Sequence, residues 1–450
     1  MRAHSPQRII ALSYLLVMAL GTFLLRMPWA NVHGEKLPYI DALFTATSAL
    51  TVTGLTVVDT GSYFTFWGQV VILALIQMGG IGIMALGTLF GILLKRRLFN
   101  YDSVLMEQTG GEHIVSIRTL LKRIIVMVLV FEALGTVMLM SYWGITRDLP
   151  PQTLFWDSLF HTISAFCNAG FGLYSDSLQQ WSGDWIVNLI FAGLIIAGGM
   201  GFLVLWDLSR IRRWDQLSPT KKRFSLQTQV VLTVTTCLVF GGAALMLAFE
   251  WNHSLAGKSV PERILCALFE SVSSRSAGFS TIDNSHFSAA TLFVLVCLMF
   301  VGAGPGSCAG GIKVTTLGIL HAWVMAAIKN RPGIFLFKKT IPQAVFQKAA
   351  LVFVLSLTWI LVVTLCLCAS EQHSANQAGY FLKALFKTTS AFGTVGLWPS
   401  ETTNLSSIGR LLLTLTMFVG RIGTLTVVLA MANDERSANY KYPVESIMIG

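Results

Sequence analysis

One short pattern, repeated four times without gaps, limits what this chain can fold into more than any other feature. It reads Phe44-Thr-Ala-Thr-Ser-Ala-Leu-Thr-Val-Thr-Gly54-Leu55, then Phe160-His-Thr-Ile-Ser-Ala-Phe-Cys-Asn-Ala-Gly170-Phe171. It returns as Leu268-Phe-Glu-Ser-Val-Ser-Ser-Arg-Ser-Ala-Gly278-Phe279 and as Phe386-Lys-Thr-Thr-Ser-Ala-Phe-Gly-Thr-Val-Gly396-Leu397. Asp41-Ala-Leu-Phe, Asp157-Ser-Leu-Phe and Lys383-Ala-Leu-Phe stand just upstream of three copies, and Leu265-Cys-Ala-Leu precedes the more divergent third. A fixed pattern of this kind marks one structural unit used several times. Each copy lies between two long apolar runs, and its own helical part of about 10 to 12 residues is too short to cross a bilayer. A re-entrant segment is expected. Non-helical backbone at membrane depth survives only where it is buried in protein or lines a water-filled cavity. Four such segments imply a shared cavity. Amphipathic helices lying on the membrane surface are the competing reading, and they leave the repeated terminal glycine without a purpose.

Composition agrees with lipid as the solvent: of 450 residues, 54% are hydrophobic and only 12% charged. Apolar runs at 9–25, 70–94, 186–205, 230–249 and 411–429 reach or approach the roughly 20 residues that span a hydrocarbon core of about 30 Å. The first run follows two basic residues without a small-residue cleavage site, which reads as a retained helix. The net charge of +10 is not a nucleic-acid signature, because the basic residues fall in alternate loops. These hold Lys95, Arg96, Arg97, Arg118, Lys122 and Arg123; then Arg210, Arg212, Arg213, Lys221, Lys222 and Arg223; then Lys329, Arg331, Lys338, Lys339 and Lys348. The positive-inside rule makes those loops cytoplasmic, and both termini join them if each repeat crosses twice, giving eight crossings. The expected fold is an all-α integral membrane protein of four tandem repeats of helix, re-entrant loop and helix, arranged pseudo-fourfold around a central pore. The repeats divide at 1–98, 99–213, 214–335 and 336–450, the last with a cytoplasmic tail. Seven cysteines, mostly inside apolar runs, give no disulfide or zinc spacing.

The segment chemistry suits a monovalent cation. A potassium filter replaces the ion's water shell with backbone carbonyls, which requires a slim, extended backbone. Glycine accepts the necessary φ values, and the candidate filter strands are Thr51, Val52, Thr53 and Gly54; Cys167, Asn168, Ala169 and Gly170; Arg275, Ser276, Ala277 and Gly278; and Gly393, Thr394, Val395 and Gly396. Thr394-Val395-Gly396 matches the start of the potassium-channel filter. The short helices would aim their partially negative C-terminal ends at the cavity, and Asp41 and Asp157 stabilise their N-termini. An acid follows each glycine, at Asp59, Asp176, Asp283 and Glu401, either gathering cations at the outer mouth or standing as an ordinary solvated loop acid. Arg275 has a candidate partner in Glu270, since an uncompensated charge beside the filter would be costly. His161 has no acid, base or metal cluster around it in sequence, so a structural role is expected rather than an enzyme site.

The second long helix of each repeat carries glycines: Gly79, Gly80 and Gly82; Gly198, Gly199 and Gly201; Gly302 and Gly304; Gly420 and Gly423. Close helix packing explains most of them. The third repeat differs, because 302–316 contains Gly302, Gly304, Pro305, Gly306, Gly310, Gly311 and Lys313 within a membrane span and cannot be a regular helix. Unwound backbone there must line a cavity, and its place after the third segment puts it below the filter. A mobile intramembrane gate is expected, whereas a phosphate-binding loop would need a Gly-Lys-Ser/Thr ending. Arg421, alone within 411–429, either faces the ion path or pairs with a buried acid such as Glu132.

These four patterns, their flanks and the glycine pairs resemble the Trk/Ktr/HKT superfamily of potassium transporters over nearly the whole chain, most of all the membrane subunit of a bacterial Ktr system. The resemblance implies one filter glycine per repeat, here Gly54, Gly170, Gly278 and Gly396, with K+ at the filter carbonyls. Plant relatives with serine at the first position go with sodium, so Gly54 points to potassium by analogy. The resemblance also implies that the 302–316 loop gates and that Arg421 faces the pore. It further implies a homodimer above a ring of separate cytoplasmic, nucleotide-binding regulatory subunits, in a bacterial cytoplasmic (inner) membrane. No covalently bound cofactor or ATP hydrolysis is expected of this chain, and nucleotide enters only through the partner. The basic loops and the tail 433–450 are candidate docking surfaces, although anionic lipid accounts for their charge equally well. Sodium remains possible as a second ion, and a sodium-conducting protein or a secondary cation transporter of the same architecture is the alternative. A broken-helix secondary transporter would show inverted halves, and these repeats all run one way.

Overall fold

The structure, a computed structural model, describes residues 6–81, 117–209, 224–371, 379–399, 405–424 and 426. Repeat 1 holds α1 (Pro6–Leu25), α2 (Tyr39–Thr51), α3 (Thr60–Tyr63) and α4 (Phe66–Ile81). Repeat 2 holds α5 (Ile117–Thr146), α6 (Pro151–Phe166), α7 (Trp185–Met200) and α8 (Phe202–Ser209). Repeat 3 follows with α9 (Leu226–Glu250), α10 (Val260–Ser273), α11 (Ala289–Phe300) and α12 (Val314–Ile328). Repeat 4 has α13 (Gln343–Ser370), α14 (Tyr380–Gly393) and α15 (Ser407–Ile422).

The two kinds of helix start differently. Four apolar helices open on side-chain caps: Asp184, Ser225, Ser288 and Ser406 accept first-turn N–H groups of α7, α9, α11 and α15. Three of the short helices open on proline instead, with Pro38 or Pro150 at the cap of α2 and α6 and a proline within the first positions of α6 and α10. There the ring presets φ and the missing N–H costs nothing.

Burial separates them further. The short helices are enclosed despite their polarity: Thr45, Thr47, Ser48 and Thr51 of α2 are all buried. Thr47 and Thr51 return their hydroxyls to the carbonyls of Leu43 and Thr47, each at 2.7 Å. The long helices instead expose Leu12, Leu16, Val130, Val137, Leu361 and Leu365, a polar interior within an apolar exterior. Each short helix packs on the first helix of its own repeat and on the second helix of the repeat before it. Thus α6 meets α4, α10 meets α7, and α14 meets α11, while α2 meets α15, so that the order closes on itself.

Among the described residues, Lys122–Thr146, Leu226–Glu250 and Gln343–Ser370 are long and apolar enough to cross a membrane singly. Ala11–Leu25, Phe66–Ile81, Ala289–Phe300 and Val314–Ile328 are shorter apolar helices among the described residues. The expectation that only the third repeat has a broken second helix is corrected: α7 and α8 meet at a bend of 105°. Gly201, at φ 90, makes that turn. The non-helical segment runs from 301 to 313 rather than from 302 to 316, because α11 ends at Phe300 and α12 begins at Val314.

An antiparallel hairpin, β1 (Ile334–Leu336) and β2 (Lys339–Ile341), joins repeats 3 and 4. Phe337 and Lys338 both take positive φ in its two-residue turn, the form that matches strand twist. The 335/336 division falls inside it, while 98/99 and 213/214 lie outside the described residues. So do Gly82, Glu401, the tail 433–450, Lys95, Arg96, Arg97 and the basic cluster from Arg210 to Arg223.

Candidate functional site

The site begins where the short helices end. After α2, α6 and α14 the chain enters the left-handed region at Val52 (φ 58), Asn168 (φ 58) and Thr394 (φ 50). For residues other than glycine this costs about 1–2 kcal/mol each, most of all for β-branched Val52 and Thr394. The same geometry lets the next N–H reach back into the helix: Thr53 to Ser48 O (2.8 Å), Ala169 to Ser164 O (2.7 Å) and Val395 to Ser390 O (2.9 Å). Asn168 additionally fits its side-chain amide to α7, donating to Ile195 O and accepting from Gly199 N. The third copy ends differently, with Ala277 N donating to Ser273 O (2.8 Å) and Ser276 outside the positive-φ set.

In each predicted filter strand every residue is buried except the glycine. Gly54, Gly170, Gly278 and Gly396 are part-exposed and all have positive φ. They are brought together in cyclic order. A Cβ on Gly54 would lie 2.5 Å from Ala169 O, on Gly170 2.7 Å from Ala277 O, on Gly278 2.1 Å from Val395 O, and on Gly396 2.1 Å from Thr53 O. Four backbones therefore approach one another so closely that only glycine fits. The second helices are equally tight on the short ones: a Cβ on Gly79, Gly198 or Gly420 would fall 1.8–1.9 Å from the carbonyl of Leu50, Phe166 or Phe392. This is the helix packing expected of those glycines.

Behind the outward legs, side chains of three short helices hold the chain. Glu270 Oε1 accepts from Thr281 N (2.7 Å) and lies 2.9 Å from Ser280 Oγ. In the second copy His161 Nδ1 donates to Asp157 O (2.8 Å), leaving Nε2 to accept from Leu173 N (3.2 Å). Lys387 lies over the Trp398 ring at 4.7 Å. The expected Glu270–Arg275 pair is not formed. The helix ends between them, so Glu270 faces the outward leg while Arg275 turns the other way and donates Nη2 to Gly302 O (3.1 Å).

Gly302 opens the loop between α11 and α12, which is bonded directly to repeats 2 and 4 and linked through Arg421 to repeat 1. Gly304 N donates to Gly199 O (2.9 Å), Cys308 N to Gly198 O (3.2 Å) and Phe202 N to Gly306 O (3.2 Å). Gly310 N donates to Thr394 Oγ1 (2.9 Å), directly on the fourth predicted strand, and Gly311 N donates to Gly420 O (3.4 Å). Val301 and Ile312 bridge the loop's two ends. Lys313 Nζ donates to Ala309 O (2.7 Å). Arg421, buried, donates from Nη1 to Cys308 O and from Nη2 to Gly79 O. The anticipated pairing with Glu132 is absent among the described residues: Glu132 instead receives Gln77 Nε2 at 3.1 Å. Three cations around the loop, Arg275, Lys313 and Arg421, thus hold its backbone carbonyls, a partnership that residue spacing does not announce.

The acids behave unlike a uniform ring. Asp59 and Asp283 cap short helical turns by accepting from Gly61 N (3.0 Å) and Ser285 N (2.9 Å), and the latter bond holds the Asp283 carboxyl below its usual range. Asp176 is exposed. Asp41 forms an ion pair with Arg410 of α15, and Asp157 Oδ2 accepts from the Tyr174 hydroxyl at 2.5 Å.

Comparison with known proteins gives a consistent answer. The TrkH family model, described as cation transport protein, matches residues 1–442. Ktr system potassium uptake protein D of Bacillus subtilis is 35% identical over 452 residues, spanning 100% of this chain and 98% of that one. Potassium/sodium uptake protein NtpJ of Enterococcus hirae is 36% identical over 454 residues, spanning 99% and 97%. Among solved structures, the potassium transporter TrkH from Vibrio parahaemolyticus shares the fold, with a TM-score of 0.73 at 18% identity over 96% of this chain and 86% of that one. The relatives are transport proteins and not enzymes. Match and fold together place this integral membrane chain in the TrkH family of cation transport proteins.

Proposed function

We propose that this protein takes up potassium across the bacterial cytoplasmic membrane through one selective pore that its four repeats surround in pseudo-fourfold order. The observation that carries this reading is the closed contact order of Gly54, Gly170, Gly278 and Gly396, each against the carbonyl preceding the next glycine. Carbonyls so gathered offer a dehydrated cation a ring of oxygens, and the short helices point their C-terminal ends the same way. Flux runs down the electrochemical gradient.

The loop 301–313 is the gate in this reading. Its bonds to Thr394, Gly199 and Gly420 and the two-carbonyl grip of Arg421 support a plug held across the ion path. The guanidinium also sets a positive charge below a cation filter, a barrier in its own right. Opening requires those bonds to be exchanged for others, which a cytoplasmic nucleotide-binding subunit would drive from the basic face. The Ktr system names of the relatives support such a partner, and a homodimer above it is part of the same proposal. Asp59, Asp176, Asp283 and Glu401 act in this reading as diffuse attraction at the outer mouth. A second reading, sodium as an additional permeant ion, is favoured by the potassium/sodium name of the Enterococcus hirae relative.

The test is separate uptake of K+ and Na+ by the purified chain in liposomes, wild type beside Gly54→Ser and Gly396→Ser. Potassium flux that loses about tenfold or more of its discrimination against sodium in both variants supports the filter, since a change of 1.4 kcal/mol in relative ion binding is tenfold. Unchanged discrimination would sink it.

A further inference from the structure

In a carbonyl filter the oxygens must be held to a fraction of an ångström, and they belong to backbone that has no regular ladder to hold it. What fixes that backbone on its outward side is therefore part of ion selection. In repeats 2 and 3 the residue three places beyond the filter glycine, Leu173 or Thr281, gives its N–H to a side chain of its own short helix. The two acceptors are chemically unrelated, an imidazole and a carboxylate, and stand at neighbouring positions of the repeat, nine and eight residues before the glycine. Both are buried, at 1% and 0% exposure. The corresponding position of repeat 4 is Pro399, which has no N–H to give.

We propose that Glu270 and His161 are positioning residues for cation selection, each a buried hydrogen-bond acceptor that holds the outward leg of its filter strand. This rests on the filter reading above and goes beyond it in locating the restraint outside the strands themselves.

His161 is built for accepting. Its Nδ1–H is committed to Asp157 O, and its ring stacks on Tyr174 at 4.9 Å with an interplanar angle of 13°. Tyr174 in turn donates to Asp157 Oδ2 (2.5 Å) and accepts from Arg147 Nη1 (2.6 Å), fixing the stack. Glu270 gathers more: besides Thr281 N and Ser280 Oγ, Thr281 Oγ1 lies 3.3 Å from the same oxygen. Ser280 carries the restraint across to repeat 2, because Leu178 N donates to Ser280 O (3.0 Å) and Ser280 N to Ser177 Oγ (3.2 Å). The two braced legs are thus stitched to each other. Removing either acceptor leaves an N–H unpaired, buried at Thr281 and part-buried at Leu173, and frees the leg to follow whichever ion occupies the ring, which favours the smaller, more strongly hydrated competitor.

The experiment measures K+ and Na+ uptake by the full chain in liposomes for Glu270→Ala, Glu270→Gln, His161→Phe and His161→Gln, with Gly54→Ser as the filter control. Glu270→Ala and His161→Phe are expected to lower K+/Na+ discrimination by about fivefold or more. The glutamine variants, which keep a carbonyl acceptor at the end of the side chain, are expected to stay within about twofold of wild type. A merely structural role would alter yield and total flux without this split. If Gly54→Ser degrades discrimination while Glu270→Ala and His161→Phe leave it intact, the brace is overturned and the filter stands. If Gly54→Ser leaves it intact, the filter reading falls and the brace falls with it. Should the truncated variants fail to insert, Glu270→Gln decides alone: wild-type discrimination supports the acceptor, and a fivefold loss overturns it, because only the charge would then have mattered.

Discussion

The four glycine strands and the second helices carry the same repeated pattern, yet one set is nearly uniform while the described second helices differ among themselves. The strands share positive φ at the glycine and the same cyclic contacts, and three of four share the left-handed residue two places earlier. Of the second helices, one bends by 105° at Gly201, one is interrupted by a loop from 301 to 313, and one reaches positive φ at Gly423. The proposed function accounts for the difference. In that reading a ring of oxygens has to be made by all four repeats together, so deviation in one spoils the whole. The plug of the same reading needs only one copy to cross the axis, the second and fourth repeats receiving it directly and the first through Arg421.

That division can be broken experimentally. The largest effect is expected at Arg421, whose two carbonyl partners belong to the loop and to repeat 1. Arg421→Ala removes two charge-assisted hydrogen bonds, each worth about 1.5–3 kcal/mol. It should raise partner-independent potassium flux by about tenfold or more with unchanged ion preference. A change in ion preference instead would show that strands and second helices are not separate devices. A smaller effect is expected for Gly201→Ala. Its Cβ would meet Pro305 O at 2.4 Å from a backbone at φ 90, pushing the bend against the loop. Flux recordings should show opening altered by roughly threefold, in line with about 1 kcal/mol of strain, again at constant preference. The smallest is Asp283→Asn: the carboxylate is exposed and already occupied as a cap, so uptake at low external potassium should change by less than about twofold. A larger drop would restore the outer acids to a concerted role.

The four short helices ending at a glycine strand and the interruption after Phe300 were legible in the sequence because each rests on local chemistry: spacing, helix length, and glycine with proline inside an apolar run. What was not legible depends on direction in space. Glu270 and Arg275 look like partners five residues apart, but α10 stops at Ser273, and the two side chains then leave on opposite sides. Arg421 and Glu132 look like the charges that must neutralise each other, whereas the guanidinium is taken up by one carbonyl of the unwound loop and one of α4. The bend at Gly201 had a signal. Gly198 and Gly201 repeat the spacing of Gly420 and Gly423, so a packing glycine followed three residues later by another marks a helix about to turn.

The cyclic packing of short helices on preceding second helices also sets a clock on biosynthesis. Three of these contacts join neighbours in the chain, but α2 waits for α15, and its Asp41 waits for Arg410, 369 positions later. At about 5–20 residues per second, roughly 20–75 s separate the two. Through that interval the buried hydroxyls and the carboxylate of the first repeat stand in the nascent chain without the helix that covers them. The first repeat to be made is the last to be finished.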